Sequence, residues 1–316
     1  MKRLWITGAH GFIGRHVAQA FGRVGWSVFG IGHGSWREAE ARSWGLEYWL
    51  KSDITQDSLR TLTAVSGSPD VIFHAAGGSS VAQSVTHPIR DFDRTVRTTS
   101  VLVDTIRRVA PEALLMLPSS AAVYGKADDG PIKETASLNP VSPYGLHKCL
   151  AEHLLKGAHQ LFGLRYAIIR YFSVYGPGLR KQLLWDLAQK LSSKPKDVVL
   201  FGTGEETRDF LHIEDAACFA VLVAEKAVEG EPLIVNGGTG DRNSIRHVAK
   251  TLGGLLSPET DIRFNGTQRT GDPFHYQADT CQMRHLGFHP MWNLEKGMAG
   301  YVDWLMHSDG DYRKCA

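Results

Sequence analysis

Short apolar runs alternate with longer amphipathic stretches through the first half of the chain. Leu4–Thr7 predicts a first strand, and a helix follows from about Phe12. Ser27–Ile31 predicts a second strand, Glu47–Leu50 a weaker one, and Val71–His74 a clear one. A long helix is expected after Pro88, then a strand at Leu114–Leu117, a helix over Tyr144–Phe162 and a strand at Tyr166–Arg170. This rhythm of strand and helix implies an α/β fold: a Rossmann-type, doubly wound parallel sheet with helices on both faces.

After about residue 175 the pattern loosens. Helices are expected at Leu183–Leu191, Ile213–Glu225 and Ile245–Leu256, and strands at Val198–Phe201 and Leu233–Asn236. The reading is a main α/β domain over 1–175 and a smaller C-terminal lobe over 176–316. The boundary is soft, with some elements returning to the main sheet.

Composition narrows the possibilities. The 316 residues carry a net charge of +2, which gives no general attraction to nucleic acid or to an anionic membrane. The four cysteines form no C-x-x-C pair, so a disulfide framework or zinc site is not expected and a reduced, cytoplasmic setting is. His10, His16, His33, His74 and His87 lack metal-ligand spacing, so no metal is expected. The run Leu4-Trp5-Ile6 is too short for a membrane span and reads as a buried strand.

That first strand ends in Thr7-Gly8-Ala9-His10-Gly11-Phe12-Ile13-Gly14. A dinucleotide pyrophosphate needs a tight turn, close backbone approach and a helix N-terminus aimed at it, and glycine at positions 8, 11 and 14 permits all three. Enzymes that use NAD place an acid about 20 residues on, against the ribose 2′-hydroxyl. Here that place falls at Gly32 or His33. The cofactor is NAD or NADP, and the missing carboxylate inclines the reading to NADP, with His33, Ser35 and Arg37 available to a 2′-phosphate. Asp53 and Ile54 are placed to meet the adenine edge and ring.

Tyr144 and Lys148 stand at i and i+4 on one helix face. A lysine beside a phenol is expected to lower its pKa, which makes tyrosine a usable general acid and base. Ser119 and Ser120 follow a strand in the same half, where a hydroxyl can meet a reacting oxygen.

The order and spacing of Thr7–Gly14, His74-Ala75-Ala76, Ser119 through Gly125 and Ser142-Pro143-Tyr144-x-x-x-Lys148 resemble the extended short-chain dehydrogenase/reductases. Within them the chain is similar to the NAD-dependent epimerase/dehydratase group acting on sugar nucleotides. The likeness continues through Arg170–Gly178, Gly202–Phe210, Val235–Gly238 and Arg269–Asp272. It implies Ser120, Tyr144 and Lys148 as the catalytic set. It implies cofactor contacts at Phe12, Ile13, Ala75, Ala76, Gly77, Ser119 and Tyr171 as well. Ser79, Ser173, Arg208 and Arg269 are implied as substrate contacts, the two arginines on a diphosphate. A sugar nucleotide is the implied partner, and the helices near Asp91–Ala110 and Tyr144–Phe162, bearing Val101, Leu102, Ile106, Leu150, Leu154 and Leu155, are implied to build a homodimer.

Departures narrow the chemistry. Sugar-nucleotide 4,6-dehydratases resemble this sequence but carry Asp-Glu after the catalytic hydroxyl, because eliminating water needs a further acid and base. Here those positions are Ala121 and Ala122, which transfer no proton. Ser173 and Thr95 stand where asparagine is usual. The leading expectation is a 4-epimerase that transiently oxidises carbon 4. A 4-ketoreductase using NADPH is the alternative, and a non-catalytic cofactor sensor is a lesser one.

Overall fold

The computed structural model describes residues 1–126, 130–227, 231–267 and 274–307. Its first six strands are β1 (Arg3–Thr7), β2 (Ser27–Gly32), β3 (Tyr48–Lys51), β4 (Val71–His74), β5 (Leu114–Ser120) and β6 (Tyr166–Tyr171). They join the strand Leu233–Gly237 in one sheet, in the order Leu233–Gly237, β6, β5, β4, β1, β2, β3. Every pairing in it is parallel, as the sequence pattern predicts.

Side chains alternate across the sheet with period two, and the two faces feed separate cores. Leu4 and Ile6 of β1 join Phe21 and Phe219 on one face. Trp5 points the other way and joins Ile72, Leu115 and Leu155. The first face is covered by α1 (Phe12–Arg23), packed against the helix Ile213–Ala227. The second is covered by α3 (Gln56–Ser66), α6 (Thr98–Val109) and α7 (Pro143–Phe162). Burial on both faces is why β2, β4 and β6 read as near-continuous apolar runs, broken in β6 only by the buried Arg170.

Helix α7 is delimited by local chemistry. Ser142 caps it by accepting from the Gly145 amide, Pro143 occupies the first turn, and Gly163 ends it at φ 70°. The long helix expected after Pro88 is interrupted. It runs as α5 (Pro88–Phe92), a π-turn at Asp93–Arg97, and then α6, with a separate α4 (Val81–Thr86) before it. Threonine is the cause: Thr98 Oγ1 donates to the Arg94 carbonyl and Thr99 Oγ1 to the Thr95 carbonyl, both at 2.6 Å. Such back-bonding competes with the helical ladder.

Beyond β7 (Ser173–Tyr175) the chain builds a third core. In it α8 (Gln182–Leu191) and the helices Ile245–Leu256 and Leu294–His307 contribute Leu184, Leu187, Val248, Leu252, Met298 and Tyr301. The strand Asp197–Leu200 pairs in parallel with Asp261–Phe264 beside them. Between those two strands the chain goes back to the main sheet at Leu233–Gly237, paired with β6. The order of strands reverses between β1 and β4, and a crevice opens there at their C-terminal ends. No described helix is long and apolar enough to cross a membrane.

Candidate active site

The crevice is a cleft of about 1900 Å³ between the main sheet and the third core. Single small-ligand pockets run to about 300–1,000 Å³, so the space suits two extended ligands end to end.

At its floor β1 gives way to Gly8, whose φ of 71° favours glycine. The Gly8 amide donates to the Ile31 carbonyl at 2.7 Å, and the Gly11 amide to the Gly8 carbonyl at 2.9 Å. A Cβ on Gly8 would lie 2.7 Å from the Ala76 nitrogen, and one on Gly14 would collide with the Gly8 carbonyl. Helix α1 begins at Phe12 with no acid in its first turn. A tight backbone cradle opening onto the positive end of a helix fits a dinucleotide pyrophosphate. Thr7 ties the neighbouring loop to it: its hydroxyl accepts from the Ala76 amide at 3.2 Å and meets His74 Nδ1 at 2.7 Å.

Ser120, Tyr144 and Lys148 converge on this cleft from the end of β5 and the first turns of α7. Ser120 is hydrogen-bonded to the Tyr144 phenol, and its hydroxyl also accepts from the Ala122 amide at 3.2 Å. Lys148 Nζ donates to the Pro118 carbonyl at 2.9 Å. Burial brings the lysine down to about 8, against the opposing pull of Asp91 and Glu152. The expectation that the lysine lowers the phenol is corrected. Burial holds Tyr144 above its ordinary value, the Ser120 hydrogen bond opposes the rise, and the Asp91 charge adds to it. The ammonium is turned to Pro118, so desolvation dominates.

Beneath these groups lies a buried polar network that sequence reading missed. Ser119 donates to Glu152 Oε1 at 2.6 Å. Arg170 meets both oxygens of Glu152 and also donates to the Tyr124 hydroxyl at 3.1 Å. Tyr124 donates to Asn236 Oδ1 at 2.6 Å. The resembling stretches around Arg170 and Asn236 therefore brace β5, α7, β6 and Leu233–Gly237 against one another.

At the adenosine end, His33, Asp53 and Ile54 line the cleft, and the His33 ring is hydrogen-bonded to the Asp53 carboxylate. Arg37 does not line it, which corrects the expectation of a cofactor contact. Trp36 turns inward onto His10 and Trp49, so Arg37, the next residue, faces solvent at the start of α2 (Glu38–Ser43). Phe12, Ile13, Ala75, Ala76, Gly77, Ser119 and Tyr171 all border the cleft, and the Tyr171 hydroxyl is used on the Ala216 carbonyl at 2.9 Å.

At the opposite end Ser79, Ser173 and Arg208 line the cleft, while Arg269 lies outside the described residues. The Ser173 amide donates to the Asp209 carbonyl at 2.9 Å. Buried Asp209 holds the floor there by accepting from the amides of Thr239, Gly240 and Ala278. Lys181 also lines the cleft and donates to the Ser79 carbonyl at 3.3 Å. The adjacent Gln182 has φ 64°, a strained conformation at the cleft wall for a residue with a side chain. Thr95, where asparagine was expected, accepts from the Gly78 amide at 2.9 Å.

The family model described as the NAD dependent epimerase/dehydratase family matches residues 4–238. The chain is 27% identical over 313 residues to a putative UDP-glucose 4-epimerase of Methanocaldococcus jannaschii, covering 96% of this chain and 98% of that one. It is 29% identical over 306 residues to the UDP-glucose 4-epimerase of Azospirillum brasilense, covering 91% and 87%. Among solved structures it resembles the UDP-glucose 4-epimerase of Thermotoga maritima with UDP-glucose, at a TM-score of 0.86, 25% identity and 97% and 99% coverage. It also resembles the UDP-glucuronic acid 4-epimerase of Bacillus cereus in complex with UDP-glucuronic acid and NAD, at 0.84, 26% identity and 96% and 98% coverage. With its glycine cradle, its Ser-Tyr-Lys set and a family match across most of its length, the chain belongs to the NAD-dependent epimerase/dehydratase family.

Proposed function

We propose that this protein is a sugar-nucleotide 4-epimerase that keeps NAD bound and inverts carbon 4 through a transient keto sugar. The observation that carries the reading is the convergence of Ser120, Tyr144 and Lys148 on one cleft, with only Ala121 and Ala122 after the catalytic hydroxyl. Tyr144 takes the proton of the 4-hydroxyl, Ser120 orients that oxygen, and Lys148 supplies the positive charge beside them. A bound nicotinamide supplies reversible acceptance of the carbon-bound hydrogen. The keto sugar then presents its other face, and Tyr144 returns the proton. Alanine at 121 and 122 leaves no side chain for eliminating water, which disfavours a 4,6-dehydratase.

NAD is favoured over NADP. The His33 ring is engaged by Asp53, whose carboxylate would stand against a 2′-phosphate, and Arg37 faces away. Relatives solved with NAD and named for UDP-sugars support NAD and a UDP-sugar substrate. Arg208 and Arg269 are assigned to the diphosphate. A homodimer is retained as part of the reading, but Leu102, Ile106 and Leu155 are buried against the sheet and do not face a partner; Leu146 and Leu150 of α7 are the exposed apolar side chains available for it.

Mass spectrometry of the cofactor and sugar nucleotide retained by the purified protein tests the reading, together with interconversion of UDP-sugar 4-epimers without added cofactor. Interconversion with no net cofactor use is expected. Stoichiometric consumption of NADPH with a 4-keto sugar nucleotide would make the protein a ketoreductase instead. Tyr144→Phe is expected to lower turnover by about 10²–10⁴-fold while cofactor stays bound. Turnover unchanged by that substitution would overturn the catalytic assignment.

A further inference from the structure

Asp91 and His147 meet behind the catalytic groups, and the reaction proposed above does not use them. His147 Nδ1 lies 2.6 Å from Asp91 Oδ2, with the two side chains 9% and 7% exposed. Asp91 comes from α5, and His147 from the α7 turn that carries Tyr144 and Lys148. The Phe92 ring packs near-perpendicular to the imidazole, with ring centroids 5.5 Å apart. The loop beneath the cleft is fitted to this pair. A Cβ on Gly78 would collide with Asp91 Oδ1, and one on neighbouring Gly77 would lie 3.7 Å from Lys148 Nζ.

A carboxylate this dry is costly unless its charge is used or matched. His147 Nδ1 meets one oxygen of that carboxylate and leaves the other without the imidazole. Lys148 is approached from the same loop, since Gly77 lies against its Nζ and Gly78 against Asp91. Three charged groups bear on that lysine: Asp91 from α5, Glu152 from α7, and Lys181 from the start of α8. Lys181 repels it, and the Glu152 carboxylate is already engaged by both nitrogens of Arg170 and by Ser119. Asp91, bonded to His147 through one oxygen only, is the other acid that bears on it. The Asp91 charge also bears on Tyr144, opposing the Ser120 hydrogen bond to the phenol.

We infer that Asp91, held in place by His147, is the counter-charge of the Tyr144–Lys148 couple, a positioning residue and not a catalytic one. This rests on the epimerase reading for its purpose. Its negative charge favours the protonated form of both neighbours, so it keeps the lysine cationic and carries the working range of the couple to higher pH.

Asp91→Asn is nearly isosteric and keeps an oxygen for His147. The test reads the phenolate of Tyr144 by difference absorbance in cofactor-free protein, with Tyr144→Phe as the blank, and the pH profile of turnover in parallel. In Asp91→Asn the phenol titrates lower by about half a unit to one unit, and the alkaline limb of the profile moves the same way. Asp91→Glu restores both toward the original. Curves that superimpose on those of the unchanged protein, even at reduced activity, would overturn the inference and leave a purely structural pair. Should Asp91→Asn fail to fold, His147→Gln serves. It keeps the charge but loosens its orientation, so kcat falls with KM unchanged, and a change in KM alone would count against the inference. The phenolate titration needs no substrate. If the unchanged protein fails to interconvert 4-epimers, the epimerase reading falls while the titration still reports on Asp91.

Discussion

Arg170 grips both carboxylate oxygens of Glu152, at 3.0 and 2.8 Å, with each side chain almost wholly out of water. The pair joins β6 to α7 directly under Ser119. Removing one partner strands the other charge in the interior, a loss of about 3–5 kcal/mol. Glu152→Ala is expected to show it as a lowered denaturant midpoint with an unchanged slope. A midpoint that does not move would mean the network adapts around Arg170.

The cradle makes a second expectation. Gly14→Ala drives a methyl group into the Gly8 carbonyl, which is backbone and cannot rotate aside. Cofactor binding should weaken by about tenfold or more, from a forced displacement worth about 1–3 kcal/mol. Calorimetric titration with NAD measures it, and near-normal affinity would place the pyrophosphate elsewhere.

Lys148 should make activity and stability diverge at alkaline pH. Burial holds it at about 8, against 10.5 for the free side chain. Between those values the unfolded chain binds more protons than the native one, so this residue's contribution to stability rises with pH. The ammonium that the reaction needs is lost over the same interval. Turnover is therefore expected to fall as pH passes about 8, with the lysine's stability term moving upward. Comparing denaturation midpoints with those of Lys148→Met isolates the stability term. A midpoint difference that stays constant across the interval would refute the assignment.

Acid should act through buried His74 and His212 and half-buried His16. Burial lowers His16 to about 4, His74 to about 3 and His212 to about 4. Below the ordinary 6.5 the unfolded chain takes up protons that the native state refuses. Their stabilisation is complete above 6.5 and is lost as pH falls toward 4 and then 3. Melting temperatures at about pH 7 and about pH 4.5 should differ clearly, and less so in His74→Gln.

The parts legible in the sequence are those written locally. The cradle at Gly8, Gly11 and Gly14 follows a strand at fixed spacing, and Tyr144 and Lys148 share one helix face, so linear pattern was enough. The strands were legible because burial on both faces leaves near-continuous apolar runs. What escaped depends on contact through space. Glu152 and Arg170 stand 18 residues apart, and Asp91 and His147 stand 56 apart, so no window contains the reason for either pair. Arg37 was misread because charge and proximity in sequence do not say which way a side chain turns; packing of Trp36 decided that. The direction of the Tyr144 shift was misread because spacing reveals the lysine but not the desolvation around the phenol.

The strand Leu233–Gly237 lies at the edge of the main sheet, yet the segment that leads to it first builds much of the outer core. The two halves are therefore not exchangeable cassettes. A chimera that takes residues after Tyr175 from a relative also imports the last strand of the dinucleotide-binding sheet, along with Asn236, which Tyr124 must find. A chain cut at that point would expose β6 as a bare edge, open to pairing with a neighbouring molecule. Changes of sugar specificity are confined, on this architecture, to substitutions that leave that returning strand intact.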